Sequence, residues 1–152
     1  MSTFADSSAL VKLYADEPGA AVVRAAPEPL LISVLARAEV TAALWRKHRA
    51  GELSRTAAAT LTARFAADFS GTLSRLPRFA AIAATIPLLE TAAKLAETYG
   101  LRAYDATQLA SATAARAADP QCETFACFDS ALCSAAQAEG FSTELSPPDE
   151  TA

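Results

Sequence analysis

Residues 124–130 read TFACFDS, an apolar run that ends at Asp129. Its short length and its aromatic and β-branched residues predict a buried strand rather than a helix. The amino terminus repeats the arrangement, because the apolar residues 3–5 are followed directly by Asp6. Both runs lead into sequence with helical spacing. Strands that alternate with helices predict an α/β protein with a mostly parallel sheet covered on both faces.

The remaining segments extend this alternation along the chain. Residues 30–32 form another apolar run, and residues 79–85 and 141–145 are apolar enough for further strands. Glycine and proline mark the ends of the helical segments between them. The helices are expected at 34–50, 54–69, 87–99, 105–117 and 130–139. Since no linker interrupts the pattern, it predicts one domain over residues 1–145 and a flexible C-terminal tail, 146–152.

The overall composition is that of a folded protein with its own core. Hydrophobic residues make up 52% of the 152 residues, and the formal net charge is −4. A negative chain is a poor candidate for coating duplex nucleic acid, although a few local cations can still contact phosphates. The first residues lack the pattern of a signal peptide, and no apolar run approaches the ~20 residues needed to cross a bilayer. We therefore expect a cytoplasmic protein that does not contact a membrane.

The three cysteines, Cys122, Cys127 and Cys133, match neither a disulfide framework nor a zinc-binding spacing. An odd, sparse count is typical of proteins in a reducing cytosol. Because Cys127 lies within the apolar run, the sequence predicts buried packing for its side chain.

Acidic residues stand where open parallel sheets form ligand sites, beyond the carboxyl ends of the strands. Asp6 and Asp129 follow two predicted strands, and Asp105 stands at the start of a predicted helix. Glu39 follows a third strand and lies among leucine and alanine on its helix. A lone carboxylate is costly to bury in such surroundings, so we expect Glu39 to have a partner.

Helix capping is the competing explanation for the aspartates. Aspartate is a favoured N-cap, and all three aspartates precede helical sequence. The stretch from Asp105 to Gln108 even has the form of a capping box, in which Gln108 would reach back to the start of the helix. Taken singly, each aspartate fits capping better than metal binding, but capping does not account for Glu39.

If the four carboxylates converge, they require a cation. Two carboxylates ~4 Å apart repel by about 4 kcal/mol at an effective dielectric of about 20. Oxygen ligands select Mg²⁺ or Mn²⁺, and the single histidine, His48, argues against a zinc site. Such a site activates water for the hydrolysis of phosphodiesters. The sequence thus predicts a metal-dependent hydrolase with the ligands Asp6, Glu39, Asp105 and Asp129.

Four segments resemble the motifs of the PIN-domain ribonuclease family, and particularly its VapC-type toxin branch. Residues 6–19 are similar to the first motif, and residues 33–43 are similar to the second, which carries a glutamate. Residues 100–110 resemble the third motif and residues 128–132 the fourth. The four segments span nearly the whole chain in the order of the family.

This resemblance implies a three-layer α/β/α fold and Mg²⁺- or Mn²⁺-dependent cleavage of single-stranded or structured RNA. It assigns the metal-ligand roles to Asp6, Glu39, Asp105 and Asp129, with Ser8 as a polar neighbour of the first. It also implies a homodimer and neutralisation by a small cognate antitoxin protein.

The sequence departs from the family pattern at Cys127, where threonine or serine is frequent, and at Ser130 and Ala131, where basic residues are frequent. Because Cys127 lacks this hydroxyl, a catalytically inactive binding module is one alternative. Two further alternatives are a PIN-type nuclease that acts in RNA processing or decay without an antitoxin, and a metal-binding phosphoacceptor signalling domain. A signalling domain of this kind has adjacent acidic residues at the end of the first strand and a lysine after a late strand. This chain has neither feature at these positions.

Two other features concern binding partners. Residues 46–49, RKHR, form the densest basic cluster, which fits the end of a helix better than an RNA contact. Arg102 is better placed for a phosphate because it precedes Asp105 by three residues. The predicted helical hairpin 34–69 carries more apolar side chains than one sheet face can cover, which predicts a homodimer.

Overall fold

The computed structural model of the protein describes residues 1–145, and the predicted tail 146–152 lies outside them. The strands are β1 (Ser2–Ala5), β2 (Leu31–Ser33), β3 (Ala80–Ile82) and β4 (Cys122–Ala126). The helices are α1 (Ser7–Tyr14), α2 (Ala20–Arg24), α3 (Ala36–Arg49), α4 (Arg55–Ser70), α5 (Ile86–Tyr99), α6 (Ala103–Ala118) and α7 (Ser130–Ala138). The strands form one parallel sheet in the order β3-β2-β1-β4. None of the described helices has the length and hydrophobicity of a membrane span.

Two separate hydrophobic cores lie on the two faces of this sheet. Successive residues of a strand point to opposite faces, so adjacent positions serve different cores. Phe4 and Phe125, whose rings stack with centroids 5.3 Å apart, pack with α5, α6 and α7. Their neighbours Ala5 and Ala126 pack with the core formed by α1, α2, α3 and α4. The result is the expected α/β/α architecture of three layers.

The prediction of a strand at residues 141–145 is wrong. Phe125 donates its backbone N–H to Ser142, and Ser142 donates to Glu123, but the pairing ends after this single bridge. The third strand is confirmed within the predicted 79–85 segment, although it is short and its alanines face solvent.

The helical hairpin covers only part of its apolar surface within one chain. Val40, Leu44 and Phe65 are all fully buried. The Phe65 ring packs edge-on against Tyr14, with centroids 5.5 Å apart, and lies 6.2 Å from the ring of Phe79. Helix α1 and the segment that leads into β3 therefore cover Phe65. Trp45, Leu61 and Phe69 of the hairpin stay partly exposed, and the homodimer stays a prediction.

The expectation of unpaired cysteines is also wrong. Cys127 and Cys133 form a disulfide with their Cα atoms 5.9 Å apart, and Cys122 is free and buried. The bond links the residue after β4 to the first turns of α7. Sequence spacing alone does not show that the chain turns back at this point, and the turn brings the two sulfurs together.

We expect Phe65→Ala to lower the free energy of unfolding by about 3–5 kcal/mol, because it leaves a cavity among the packed aromatic rings. Leu73→Ala is the control, since the Leu73 side chain is fully exposed, and it should change stability by less than ~0.5 kcal/mol. Urea denaturation followed by circular dichroism measures both. Equal losses in the two variants would contradict the described packing.

Candidate active site

The pairing of β1 with β4 brings Asp6 and Asp129 to the same end of the sheet. Ala5 pairs with Ala126, and the backbone N–H of Asp6 donates to Ala126 at 3.1 Å. Asp6 follows β1 directly, and Asp129 lies a short turn beyond β4. The carboxyl ends of these neighbouring parallel strands therefore carry one carboxylate each.

Both aspartates also cap the helices that follow them, as the competing explanation expected. Asp6 Oδ1 accepts a bond from the backbone N–H of Ala9 at 2.9 Å and from the Ser8 hydroxyl at 2.7 Å. Asp129 Oδ1 accepts from the backbone N–H of Leu132 at 3.0 Å. No residue of the described chain donates to Oδ2 of either carboxylate. Each aspartate thus caps with one oxygen and keeps the other available.

The capping-box prediction for Asp105 is wrong. Helix α6 begins at Ala103 with Arg102 at its N-cap, which places Asp105 inside the first turn. Gln108 does not reach back along its own helix. Its amide Nε2 instead donates to Glu39 Oε1 at 2.8 Å and lies 3.0 Å from Ser7 Oγ. Because α6 begins before Asp105, the side chain of Gln108 faces α1 and α3.

Gln108 is the partner that the apolar surroundings of Glu39 predicted. The amide of Gln108 is buried, and its carbonyl oxygen has no hydrogen-bond partner within the described chain. The sequence analysis did not assign Gln108 to the site. The signal in the sequence is the spacing of Gln108 from Asp105, since residues three apart share one face of a helix and so lie at the same site.

Asp6, Glu39, Asp105 and Asp129 all line one cavity of about 600 Å³. Their role as metal ligands stays a prediction. The only ion pair among them within residues 1–145 joins Asp105 to the exposed Arg102 at 3.3 Å. The buried Asp6 and the half-buried Glu39 therefore face the cavity without a cationic partner from the described chain.

The pKa of Asp6 is raised to about 6 because burial raises it by more than the hydrogen bonds from Ser8 and Ala9 lower it. The charges of Glu39 and Asp105 raise it further. The pKa of Glu39 is also raised, mainly by burial and in addition by the charge of Asp105, against the hydrogen bond from Gln108. At neutral pH the metal-free cavity therefore holds negative charge at a cost in free energy.

The donor chemistry of this cavity fits a hard divalent cation. Its acidic side chains offer carboxylate oxygens, the ligands that Mg²⁺ and Mn²⁺ prefer, and no histidine or cysteine lines it. Across residues 1–145, no three acidic, histidine or cysteine side chains are close enough to hold an ion as they stand. Metal binding would therefore draw these carboxylates closer together.

A second group of contacts fixes the turn that carries Asp129. The buried Lys12 ammonium lies 4.3 Å from the ring centre of Phe128 and donates to Glu17 at 2.9 Å. Gly19 lies against the same ring, since a Cβ at this position would come within 2.7 Å of it. Sequence analysis missed this role, although Lys12 interrupts an otherwise apolar helix face.

The protein is thus an α/β protein with a carboxylate-lined cavity at the carboxyl edge of its parallel sheet. The chain matches the PIN domain family over residues 3–137, and it belongs to this family. PIN domains are generally nucleases and typically use divalent metals. A search of curated proteins found no match.

We expect Asp6 to destabilise the metal-free protein increasingly as pH rises from about 4 to about 6, which appears as a growing difference in stability between the parent and Asp6→Asn. Burial raises the pKa of Asp6 to about 6, so in this window the folded chain holds a proton that the unfolded chain has released. Asp6→Asn keeps an N-cap residue and removes the charge. It should raise the free energy of unfolding at pH 7 by up to ~3 kcal/mol.

Urea unfolding in chelator between pH 4 and pH 8 measures this effect. Asp16→Asn is the matched control, since the Asp16 side chain is 92% exposed, and it should leave the pH profile unchanged. If Asp6→Asn unfolds more easily than the parent at pH 7, Asp6 is a structural cap and the repulsion is absent.

Proposed function

We propose that this PIN-domain protein is a Mg²⁺- or Mn²⁺-dependent endoribonuclease that cleaves single-stranded RNA, and that it is the toxin of a toxin–antitoxin pair. One observation carries the nuclease proposal. Four carboxylates, from the end of β1, from α3, from α6 and from the turn after β4, line a single cavity. Within residues 1–145 only Asp105 among them has a cationic partner. A divalent cation would supply the missing positive charge, and the bound cation would in turn attract the negative phosphodiester.

Asp6, Glu39, Asp105 and Asp129 would hold the metal. When bound, Mg²⁺ or Mn²⁺ supplies Lewis-acid chemistry that activates water and neutralises charge on the phosphate. Hydrogen bonds within the chain already orient two of these carboxylates. Ser8 and the backbone of Ala9 fix one oxygen of Asp6, and the amide of Gln108 fixes one oxygen of Glu39.

A side-chain nucleophile is not favoured by the cavity. His48 Nδ1 lies 2.9 Å from the carbonyl oxygen of Leu53 and does not line the cavity. The hydroxyls of Ser7 and Ser8 contact Gln108 and Asp6, with no histidine or lysine base among the lining residues. Hydrolysis by water without a covalent intermediate is therefore the mechanism that this arrangement supports.

The choice of RNA and the role of a toxin are supported by the VapC-like motifs. Residues 6–19 and 100–110 carry much of this likeness. The same likeness supports action in the cytoplasm and inhibition by a small antitoxin. An arginine of the antitoxin would enter the acidic cavity and pair with the carboxylates, a geometry that suits a guanidinium.

The homodimer is also part of this proposal, and one end of the β3 edge offers an apolar surface for it in addition to the hairpin. Ile86 and Leu89 at the start of α5 are exposed by 72% and 42%, and Val34 after β2 by 37%. Val34 donates its backbone N–H to Ile82 at the end of the edge strand β3. These side chains belong to one end of the β3 edge and supply apolar area for a second copy of the chain.

Cleavage of a fluorescent RNA oligonucleotide tests the nuclease proposal. Chelator should abolish the cleavage, and Mn²⁺ should restore it. Glu39→Gln and Asp105→Asn should each lose more than the ~10–100-fold typical of groups that only orient a ligand, and Gln108→Leu should fall within that range. His48→Ala should keep most activity. Cleavage that persists in excess chelator would overturn the mechanism.

Light scattering and affinity capture test the proposed partners. The protein should run as a dimer that Ile86→Asp converts to a monomer, while the control Leu73→Asp, at a still more exposed leucine, stays dimeric. A small protein captured from the native host should be released by Mn²⁺, because both compete for the carboxylates. A monomer that retains no small partner would remove the toxin role and leave a PIN nuclease of RNA processing or decay.

A further inference from the structure

A second cavity adjoins the acidic one along α1 and α3. It has a volume of about 360 Å³, and Lys12, Lys47 and Arg46 are among its lining residues. Ser8, Val11, Ala43 and Arg46 line both cavities. The two therefore adjoin and form a groove that leads from the carboxylates past Arg46 to two lysines that pair with Glu17 and Glu52.

Arg46 stands at the junction of this groove. It follows Glu39 by about two helical turns, ~10 Å along the axis of α3, and so lies on the same side of the helix. Within residues 1–145 no carboxylate pairs with Arg46. Its side chain is exposed and available to a ligand.

The lysines of the groove differ from Arg46 because they are already paired. Lys47 contacts Glu17 at 2.6 Å and Glu52 at 3.1 Å, and Lys12 contacts Glu17 at 2.9 Å. Their charges are largely neutralised, and their contacts hold the wall of the groove in place. Among the cations that line the second cavity, Arg46 is thus the one that keeps its donors for an anion.

The geometry points to Arg46 as a phosphate-binding residue that guides a single-stranded nucleic acid out of the acidic site along α1 and α3. This inference rests on the proposed nuclease function and names the path of its substrate. Arg46 would bind a phosphate next to the scissile one, since it lies two turns from Glu39. A guanidinium can bind two phosphate oxygens at once, which suits this task.

Binding of fluorescein-labelled single strands by anisotropy tests the inference, with Ca²⁺ in place of Mg²⁺ and RNA and DNA strands of equal length. Arg46→Gln should weaken the binding of an eight-nucleotide strand by about tenfold. It should lower the slope of log affinity against log salt by about 0.7, the value of one lost phosphate contact. A dinucleotide, which has only the phosphate at the acidic site, should be unaffected.

Arg49→Gln is the matched control, because Arg49 is an exposed cation at the same end of α3 that lines neither cavity. It should change neither affinity nor slope. Equal effects of the two variants, or no effect of Arg46→Gln, would overturn the inference. So would the absence of any binding by the parent protein.

Cleavage of the same RNA strand in Mg²⁺ separates this inference from the proposed function. A parent protein that cleaves, with an Arg46→Gln variant that binds equally well, would disprove the path and leave the nuclease. A parent protein that binds through Arg46 but cleaves nothing would disprove the nuclease and leave the groove as a binding site.

Discussion

The parallel pairing of β1 with β4 is the constraint on which the site depends. Because Ala5 and Ala126 are in register, the turns that follow the two strands leave the sheet side by side. Each turn must open a helix, and an aspartate satisfies the free N–H groups there. The same two caps thereby place two carboxylates at one sheet edge, where Oδ1 of each aspartate caps a helix and Oδ2 stays available for the proposed metal.

Placing these carboxylates together without a cation costs free energy of folding, as their surroundings show. Asp6 is buried with a pKa raised to about 6, and Glu39 is held by a neutral amide rather than by a cation. A lysine or arginine in place of Gln108 would neutralise the charge and occupy the position of a metal. The chain instead keeps its lysines outside the carboxylate cavity, where Lys12 supports the turn of Asp129 through the Phe128 ring.

The sequence predicted those features that follow from local pattern, and it missed those that need the path of the chain in space. The strand-end positions of Asp6 and Asp129 were visible because apolar runs stop at them. The apparent capping box at Asp105 was misleading, since an equally good helix start lies just before it. The Cys127–Cys133 bond and the cover over Phe65 depend on how distant segments turn back, which spacing and composition do not encode.

The central claim is that the four carboxylates form one cation site, and crystals soaked in Mn²⁺ test it most directly. Anomalous scattering locates the ion independently of its ligands. The account predicts a peak in the cavity, within coordination distance of Asp6 and of at least two of the other three carboxylates. A cavity without a peak at saturating Mn²⁺, or a peak bound only elsewhere on the protein, would contradict it.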